Sequence, residues 1–497
     1  MSIKQNMAKK WAKRAVKKTN TWANNPIETQ RKVLLTLVRK ASKTAFGRDH
    51  DFDNITDYAS FKSRVPLGDY ERLRPYVDRV VSGEKDVLWP GKPLYFSKTS
   101  GTTSGVKYIP ISKESMPTHI NTAQNALLHY IYYSGNSSFV DGKMIFLQGS
   151  PIMSVTNGIQ TGRLSGIVAH YIPSYLQRNR LPSWKTNCIE DWEQKVDAIV
   201  AETMYADMRL ISGIPPWVKM YFERLSVKSG KKITDLFPNF SLFVYGGVNY
   251  APYQGAMEEL MGKQVDSVEL YPASEGFIAF QDLPHNNGML LQLNSGIFYE
   301  FVEADKIHEE NPVRLSLGEV ELGVNYAIIL NTNAGLWGYN IGDTVSFVSL
   351  EPYRIIVTGR IKHFISAFGE HVIGKEVERA MQETLTKHDV QVAEFTVAPQ
   401  VTPELGLPHH EWWIAFEKAP KDLEAFAADL DIAMCDQNTY YDDLIKGAVL
   451  RPLVIRSLPT DAFEQYMKSI GKLGGQNKTP RLTNNRKIAA ALEKEFF

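Results

Sequence analysis

The stretch at 95–110, YFSKTSGTTSGVKYIP, decides how this chain is read. A β-rich run, Leu94 to Phe96, leads into hydroxyls at Ser97, Thr99, Ser100, Thr102, Thr103 and Ser104, glycines at 101 and 105, and Lys107. Glycines let backbone amides approach an anion, hydroxyls donate hydrogen bonds and a lysine adds positive charge, which together compose a phosphate cradle. From Gly91 to Lys113 there is no acid, so nothing inside the stretch repels a polyphosphate. The Walker A pattern is absent. On composition alone, such a run is also an ordinary flexible loop.

The flanks predict strands alternating with helices. KMIFLQGS (143–150), SLFVYGG (241–247) and DSVELY (266–271) are β-rich runs bounded by Gly, Ser or Asn, with helical stretches near 114–132 and 190–208. This alternation implies a layered α/β domain. Between about 290 and 358 the texture becomes hairpin-like, with NSG joining LLQL to IFYEF and NTNAG following NYAIIL, so a barrel-like antiparallel subdomain is expected. After 363 come a helix around 372–388, strands at 391–398 and in EWWIAFE, helices over 420–446, then LRPLVIRSL and a last helix. The expected division is a large unit at 1–358, a hinge at 359–363 and a small α+β unit at 364–497.

Three further segments carry chemistry. VELYPASEG (268–276) ends a strand at Tyr271 and presents Ser274 and Glu275 in a turn, where α/β sheets bind ligands; Glu275 suits a Mg²⁺ that also bridges phosphate oxygens. GLWGYNIGDTVSF (335–347) places Gly342 and Asp343 in an expected hairpin-like turn, and a carboxylate there accepts hydrogen bonds from a ribose diol. Gly359, Arg360 and Lys362 open VTGRIKHFISAFGEHVIGKEVE as an expected hinge, with Gly369 ahead of a predicted helix whose early turns hold Glu370, Glu376 and Glu378. GKLGGQNKTPRL (471–482) sets Lys478 in a Gly-rich basic loop, which by itself also reads as solvated surface.

In this order and spacing the motifs resemble the adenylate-forming superfamily of acyl-CoA synthetases, luciferases and peptide-synthetase adenylation domains. TSGTTSGVK resembles its phosphate loop, YPASEG and YNIGD its two nucleotide motifs, and GRIKHF with the following GE its hinge. YPASEG together with QNKTPRL and RVPLGDYERLRPYVDRVVSGE (64–84) resembles, more narrowly, the auxin-responsive acyl acid amido synthetases of plants and their bacterial relatives. Val106, Asn340 and His371 stand where relatives tend to have proline, arginine and lysine. The resemblance implies a two-step ligase that uses ATP and Mg²⁺. A small carboxylic acid is adenylated with loss of pyrophosphate, then passed to an amino acid amine.

It further implies residue roles. Ser97 and the Thr99, Ser100, Gly101, Thr102, Thr103 and Lys107 loop would hold phosphates, with Gly247 and Arg360 beside the nucleotide. Tyr271 would lie against adenine, Ser274 near the α-phosphate and Asp343 at the ribose. Glu275 would bind Mg²⁺ and Lys478 would reach the α-phosphate once the small unit closes. ISGIPPWV (211–218) resembles a segment beside the acyl pocket, making Trp217 a wall residue there or simply core. Two other readings stay open: a thioester-forming acyl-CoA ligase, and an inactive nucleotide-binding scaffold.

Composition is ordinary for a soluble globular protein. The chain has 497 residues, 56 Lys and Arg against 55 Asp and Glu, 43% hydrophobic and 22% charged residues, which gives no global field for nucleic acid. Cys188 and Cys435 are far apart and belong to no metal-ligand cluster, so a reducing cytoplasm is expected. No run of 18 apolar residues occurs and no apolar h-region with a small-residue cleavage site opens the sequence, so neither stable membrane insertion nor secretion is expected, and no obligate protein partner is evident. Lys4, Lys9, Lys10, Lys13, Arg14, Lys17 and Lys18 precede any acid, with Met7, Trp11 and Ala15 spaced four apart. The reading adopted is a solvated surface helix whose Trp11 stripe packs on its own domain, over a membrane-touching one.

Overall fold

A computed structural model describes residues 2–497 apart from 103–104, 173–176, 248–249, 285–287, 308, 362–363, 366, 371 and 471–478, and all their side chains except those of 100–102, 105, 192–193, 251–252, 360, 364, 373 and 375. Among the described residues an eleven-stranded sheet dominates. Its parallel half runs through Arg180–Leu181, Lys143–Phe146, Met208–Ser212, Leu242–Gly246 and Asp266–Ala273. From Asp266–Ala273 the sheet continues antiparallel through Gly276–Phe280, Met289–Leu291, Tyr353–Arg360, Tyr339–Leu350, Asn325–Thr332 and Ile297–Glu303.

The parallel strands read as apolar runs because both faces are covered. Met144, Leu210 and Leu242 enter one core with the helices Ile3–Ala23 and Met116–Ser134. Their neighbours Ile145, Ile211 and Phe243 enter another with Val218, Tyr221 and Phe222 of the helix Pro215–Ser229. That second core continues into Ile365, Phe368, Val397, Trp412 and Ile414, so the C-terminal three-stranded sheet shares it. EWWIAFE lies in the strand His409–Lys418 and is split the same way: Trp412 and Ile414 face this core, while Trp413 and Ala415 pack with Phe463 and Ile488.

Four expectations are corrected. LLQL and IFYEF do not pair with each other: Met289–Leu291 inserts between Gly276–Phe280 and Tyr353–Arg360, and Ile297–Glu303 pairs with Asn325–Thr332. Gly342 and Asp343 lie inside the strand Tyr339–Leu350 and not in a hairpin turn. Register slips there, from Ile329 opposite Asn340 to Ala327 opposite Thr344, so Gly342 at φ +92° forms a bulge. Glu370 precedes the helix Gly374–Lys387.

The fourth correction is the N-terminal helix. It packs through Ala8, Ala12, Val16, Thr19 and Ala23, whereas Met7 and Trp11 are 47% and 44% exposed. Small side chains let its backbone approach the neighbouring helix closely, and of its two tryptophans only Trp22 packs on the cores. No helix among the described residues is long and apolar enough to cross a membrane.

Candidate functional site

The site grows from the carboxyl ends of the parallel strands, where chain reversals leave backbone groups open to ligands. Gly149, Ile214, Gly247 and the pair Ser274–Glu275 all follow such ends. Gly246 sets the spacing: a Cβ there would meet the Leu270 carbonyl oxygen at 2.3 Å, so only glycine lets these two strands lie together. Ser274 and Glu275 form the two-residue reversal between Ala273 and Gly276, which face each other in register.

The cradle sequence is a hairpin and not a loop. Strands Tyr95–Thr102 and Gly105–Ile111 pair antiparallel, which sets Thr99 opposite Lys107 and Thr102 opposite Gly105, with a register shift between Thr99 and Thr102. Paired backbone holds the hydroxyls in register at little further entropic cost. Ser97 is fully buried, and its Oγ lies 2.8 Å from Ser274 Oγ, so the hairpin touches the reversal after Ala273.

Two buried carboxylates complete the cluster. The Tyr271 hydroxyl donates to Asp343 Oδ2 at 2.5 Å, and the Tyr339 hydroxyl donates to Glu275 Oε1 at 3.2 Å. Asp343 and Glu275 are 7% and 9% exposed. Each carboxylate is thus oriented by a phenol, Asp343 from within its strand and Glu275 from the reversal. A Cβ on Gly342 would meet nothing within 4 Å, which leaves space beside Asp343.

The structure therefore brings together Ser97, Tyr271, Ser274, Glu275 and Asp343, and pairs Thr99 with Lys107. Gly247, at φ +79°, sits by Ile214, which also borders Gly369. Gly359 and Arg360, expected as hinge, close the strand Tyr353–Arg360 opposite Thr344 and Asp343. Trp217 lies in the helix that Ile214 caps and packs against the second core. Thr103, Lys362, His371 and Lys478 fall outside the described residues, as do the side chains of Ser100, Thr102 and Arg360 and the surroundings of Gly101.

Sequence reasoning missed three supports. Tyr339, within the YNIGD motif, orients Glu275 through its hydroxyl. In PLGDY, Gly68 bridges to the strand beside Asn340, whose N–H donates to the Gly68 carbonyl at 2.8 Å, and the Tyr70 hydroxyl accepts from Tyr108 N–H at 2.9 Å. Lys107 Nζ lies 5.8 Å from the Tyr70 ring centroid. The segment thus ties the hairpin to the Asp343 strand; its turn-then-aromatic pattern was the available signal. The third is Lys195, 1% exposed, whose ammonium donates to the carbonyls of Gln148 and Asn187 at 2.9 and 2.8 Å; burial pulls it down to about 8.

Glu275 fits a magnesium ion of the kind that takes one protein carboxylate and completes its shell with phosphate oxygens and water. No group of three or more metal-ligating side chains occurs among the described residues, so an all-protein cage is not what the geometry offers.

Three profiles of one family match the chain in order: the GH3 family N-terminal domain over residues 15–195, the GH3 family central domain over 290–360 and the GH3 family C-terminal domain over 375–487. The chain is 22% identical to the jasmonoyl–L-amino acid synthetase JAR4 of Nicotiana attenuata, over 91% of this chain and 90% of that enzyme. Its structure is similar to AtGH3.15 acyl acid amido synthetase in complex with 2,4-DB, with a TM-score of 0.63 at 18% identity over 97% of this chain and 96% of that one. A 2-hydroxyisobutyryl-CoA ligase in complex with 2-HIB-AMP and CoA shares the fold at a TM-score of 0.62 and 12% identity, over 95% of this chain and 92% of that one.

Proposed function

The chain belongs to the GH3 family and has the fold of adenylate-forming enzymes, and from that premise we propose that it is an ATP-dependent acyl acid amido synthetase. The observation that carries this reading is the convergence of separate motifs through two contacts, Ser97 with Ser274 and Tyr271 with Asp343. A carboxylate oxygen of the acid bonds to the α-phosphorus of ATP, and the bond to the bridging oxygen of pyrophosphate breaks. An amino acid amine then bonds to the activated carbonyl carbon, the bond to AMP breaks, and the amine proton passes to solvent.

In this reading the hairpin from Thr99 to Lys107 holds the pyrophosphate portion, and Ser97 with Ser274 lies beside the α-phosphate. Asp343, oriented by the Tyr271 hydroxyl, accepts from the ribose diol while the Tyr271 ring lies against adenine. Glu275 would hold Mg²⁺, which when bound supplies positive charge that neutralises the departing pyrophosphate. Lys478 is assigned to the α-phosphate and the developing acyl oxygen. Residues 359–363 are assigned as the hinge between units 1–358 and 364–497. The cytoplasm is the matching compartment, because Cys188 and Cys435 are both free thiols.

The test is ATP–pyrophosphate exchange with Mg²⁺ across aryl, indolyl and aliphatic carboxylic acids, followed by addition of amino acids or CoA. Exchange with at least one acid and an amide product are expected. A thioester with CoA and no amide overturns the choice of acceptor; silence across the panel with intact ATP binding overturns adenylation.

A further inference from the structure

We propose that the outward face of the helix Ile3–Ala23 docks on an anionic lipid surface. The helix holds its own protein through a narrow stripe, Ala8, Ala12, Val16, Thr19 and Ala23, all buried. Three of its large apolar side chains lie off that stripe, with Ile3 80%, Met7 47% and Trp11 44% exposed, while Trp22 packs on the cores at the far end of the helix. At about 100° per residue, Ile3, Met7, Trp11, Arg14 and Lys18 form one row along the outside, apolar in its first half and basic in its second. Lys4 flanks that row on one side, and Lys10 and Lys17 flank it on the other; all three are exposed.

Charge selects the partner. The helix carries seven Lys and Arg and no acid, while the whole chain has a formal charge of +1, so the remaining residues together carry −6. None of the seven forms an ion pair among the described residues. A positive patch on an otherwise acidic molecule directs one face toward anions. The exposed apolar row then separates anionic partners by chemistry. A phosphodiester backbone offers nothing to Ile3 and Met7. A bilayer interface offers both, since phosphate and carboxylate headgroups meet the lysines, acyl chains take the aliphatic side chains, and tryptophan sits at the boundary. The helix is too polar to span, and it lies along the protein with its inner stripe already occupied, so the contact is peripheral and reversible.

This inference is independent of the substrate reading, and its test leaves the nucleotide site untouched. Full-length protein is sedimented with vesicles of phosphatidylcholine alone and of phosphatidylcholine with about 30% phosphatidylserine, at low and at about 0.5 M salt. Binding is expected to the anionic vesicles only, and to fall at least tenfold at high salt. Lys10→Glu with Arg14→Glu should abolish it. Met7→Ser with Trp11→Ser, which keeps every charge, should weaken it at least fivefold. Both variants should retain wild-type circular dichroism and nucleotide affinity, because none of the four positions belongs to the buried stripe of the helix or to the nucleotide site. No binding to anionic vesicles, binding unchanged by Met7→Ser with Trp11→Ser, or retention by an RNA oligonucleotide without retention by vesicles each overturns the proposal.

Discussion

At the Tyr271–Asp343 pair, a neutral phenol donates across 2.5 Å to a carboxylate that is only 7% exposed. A hydrogen bond to a charged group contributes about 1.5–3 kcal/mol, so the pair fixes where Asp343 points. Tyr271→Phe keeps the ring and removes only that orientation. The Michaelis constant for ATP in pyrophosphate exchange should rise about tenfold, with kcat within about threefold, because each 1.4 kcal/mol is a factor of ten. An equal fall in kcat would mean that the hydroxyl acts on the reacting centre. Lys195 gives a second residue-scale outcome, in stability. Burial lowers its ammonium from the ordinary 10.5 to about 8. Between those values the unfolded chain binds more protons than the folded one, so stability rises with pH through that window, by about 3 kcal/mol, and is lost as pH falls through 8. Urea unfolding of the wild type and Lys195→Met, compared at each pH, isolates this rise. Buried tyrosines act oppositely in both proteins and cancel in the comparison. A parallel pH dependence in the two would remove Lys195 as its source.

At the scale of elements, the periodic signals were legible and the long-range pairings were not. The parallel strands, EWWIAFE and the Ser274–Glu275 reversal all stand where local pattern places them, because each depends on its own turn residues and apolar spacing. NSG looked like a hairpin connection, yet its two strands take partners elsewhere, and only contacts across the sheet decide that. GD looked like a turn and is a bulge, since a positive φ serves both. On the N-terminal surface helix the Trp11 stripe reads by size as the packing face, whereas the closer approach that alanines permit puts Ala8, Ala12, Val16, Thr19 and Ala23 there. Two glycine substitutions separate the physical causes. Gly342→Ala meets no atom within 4 Å and is strained only by φ +92°, so it should cost about 1–2 kcal/mol in thermal unfolding. Gly246→Ala drives a Cβ to 2.3 Å from the Leu270 carbonyl oxygen in the middle of the sheet and should cost more than about 3 kcal/mol. The reverse ranking would mean that the strand spacing relaxes more readily than the bulge.

For the whole molecule, the decisive contact joins the C-terminal region to the hairpin. Arg163, at the start of the helix Leu164–Ala169, forms an ion pair with Asp443 of the helix Thr439–Lys446, and its guanidinium lies 4.6 Å from the Tyr440 ring centroid. The Tyr440 hydroxyl donates to the Lys98 carbonyl at 3.2 Å, one residue before Thr99. The ion pair is 36% and 45% exposed and is worth at most about 1 kcal/mol, but the cation–π contact adds about 0.5–2 kcal/mol. Removing Arg163 therefore loosens the docked arrangement by roughly tenfold while leaving the shared core through Ile365, Phe368 and Trp412 intact. If the two half-reactions use different placements of the small unit, Arg163→Ala should slow only the one that uses this placement, by about tenfold. The other should stay within about twofold, and the unfolding midpoint within about 2 °C. Pyrophosphate exchange reports the first half-reaction, and single-turnover transfer from preformed adenylate to an amino acid reports the second. Equal slowing of both would reduce the Arg163–Asp443–Tyr440 contact to a structural support. Unequal slowing would make it a device that ties the position of the C-terminal region to the hairpin assigned to phosphate.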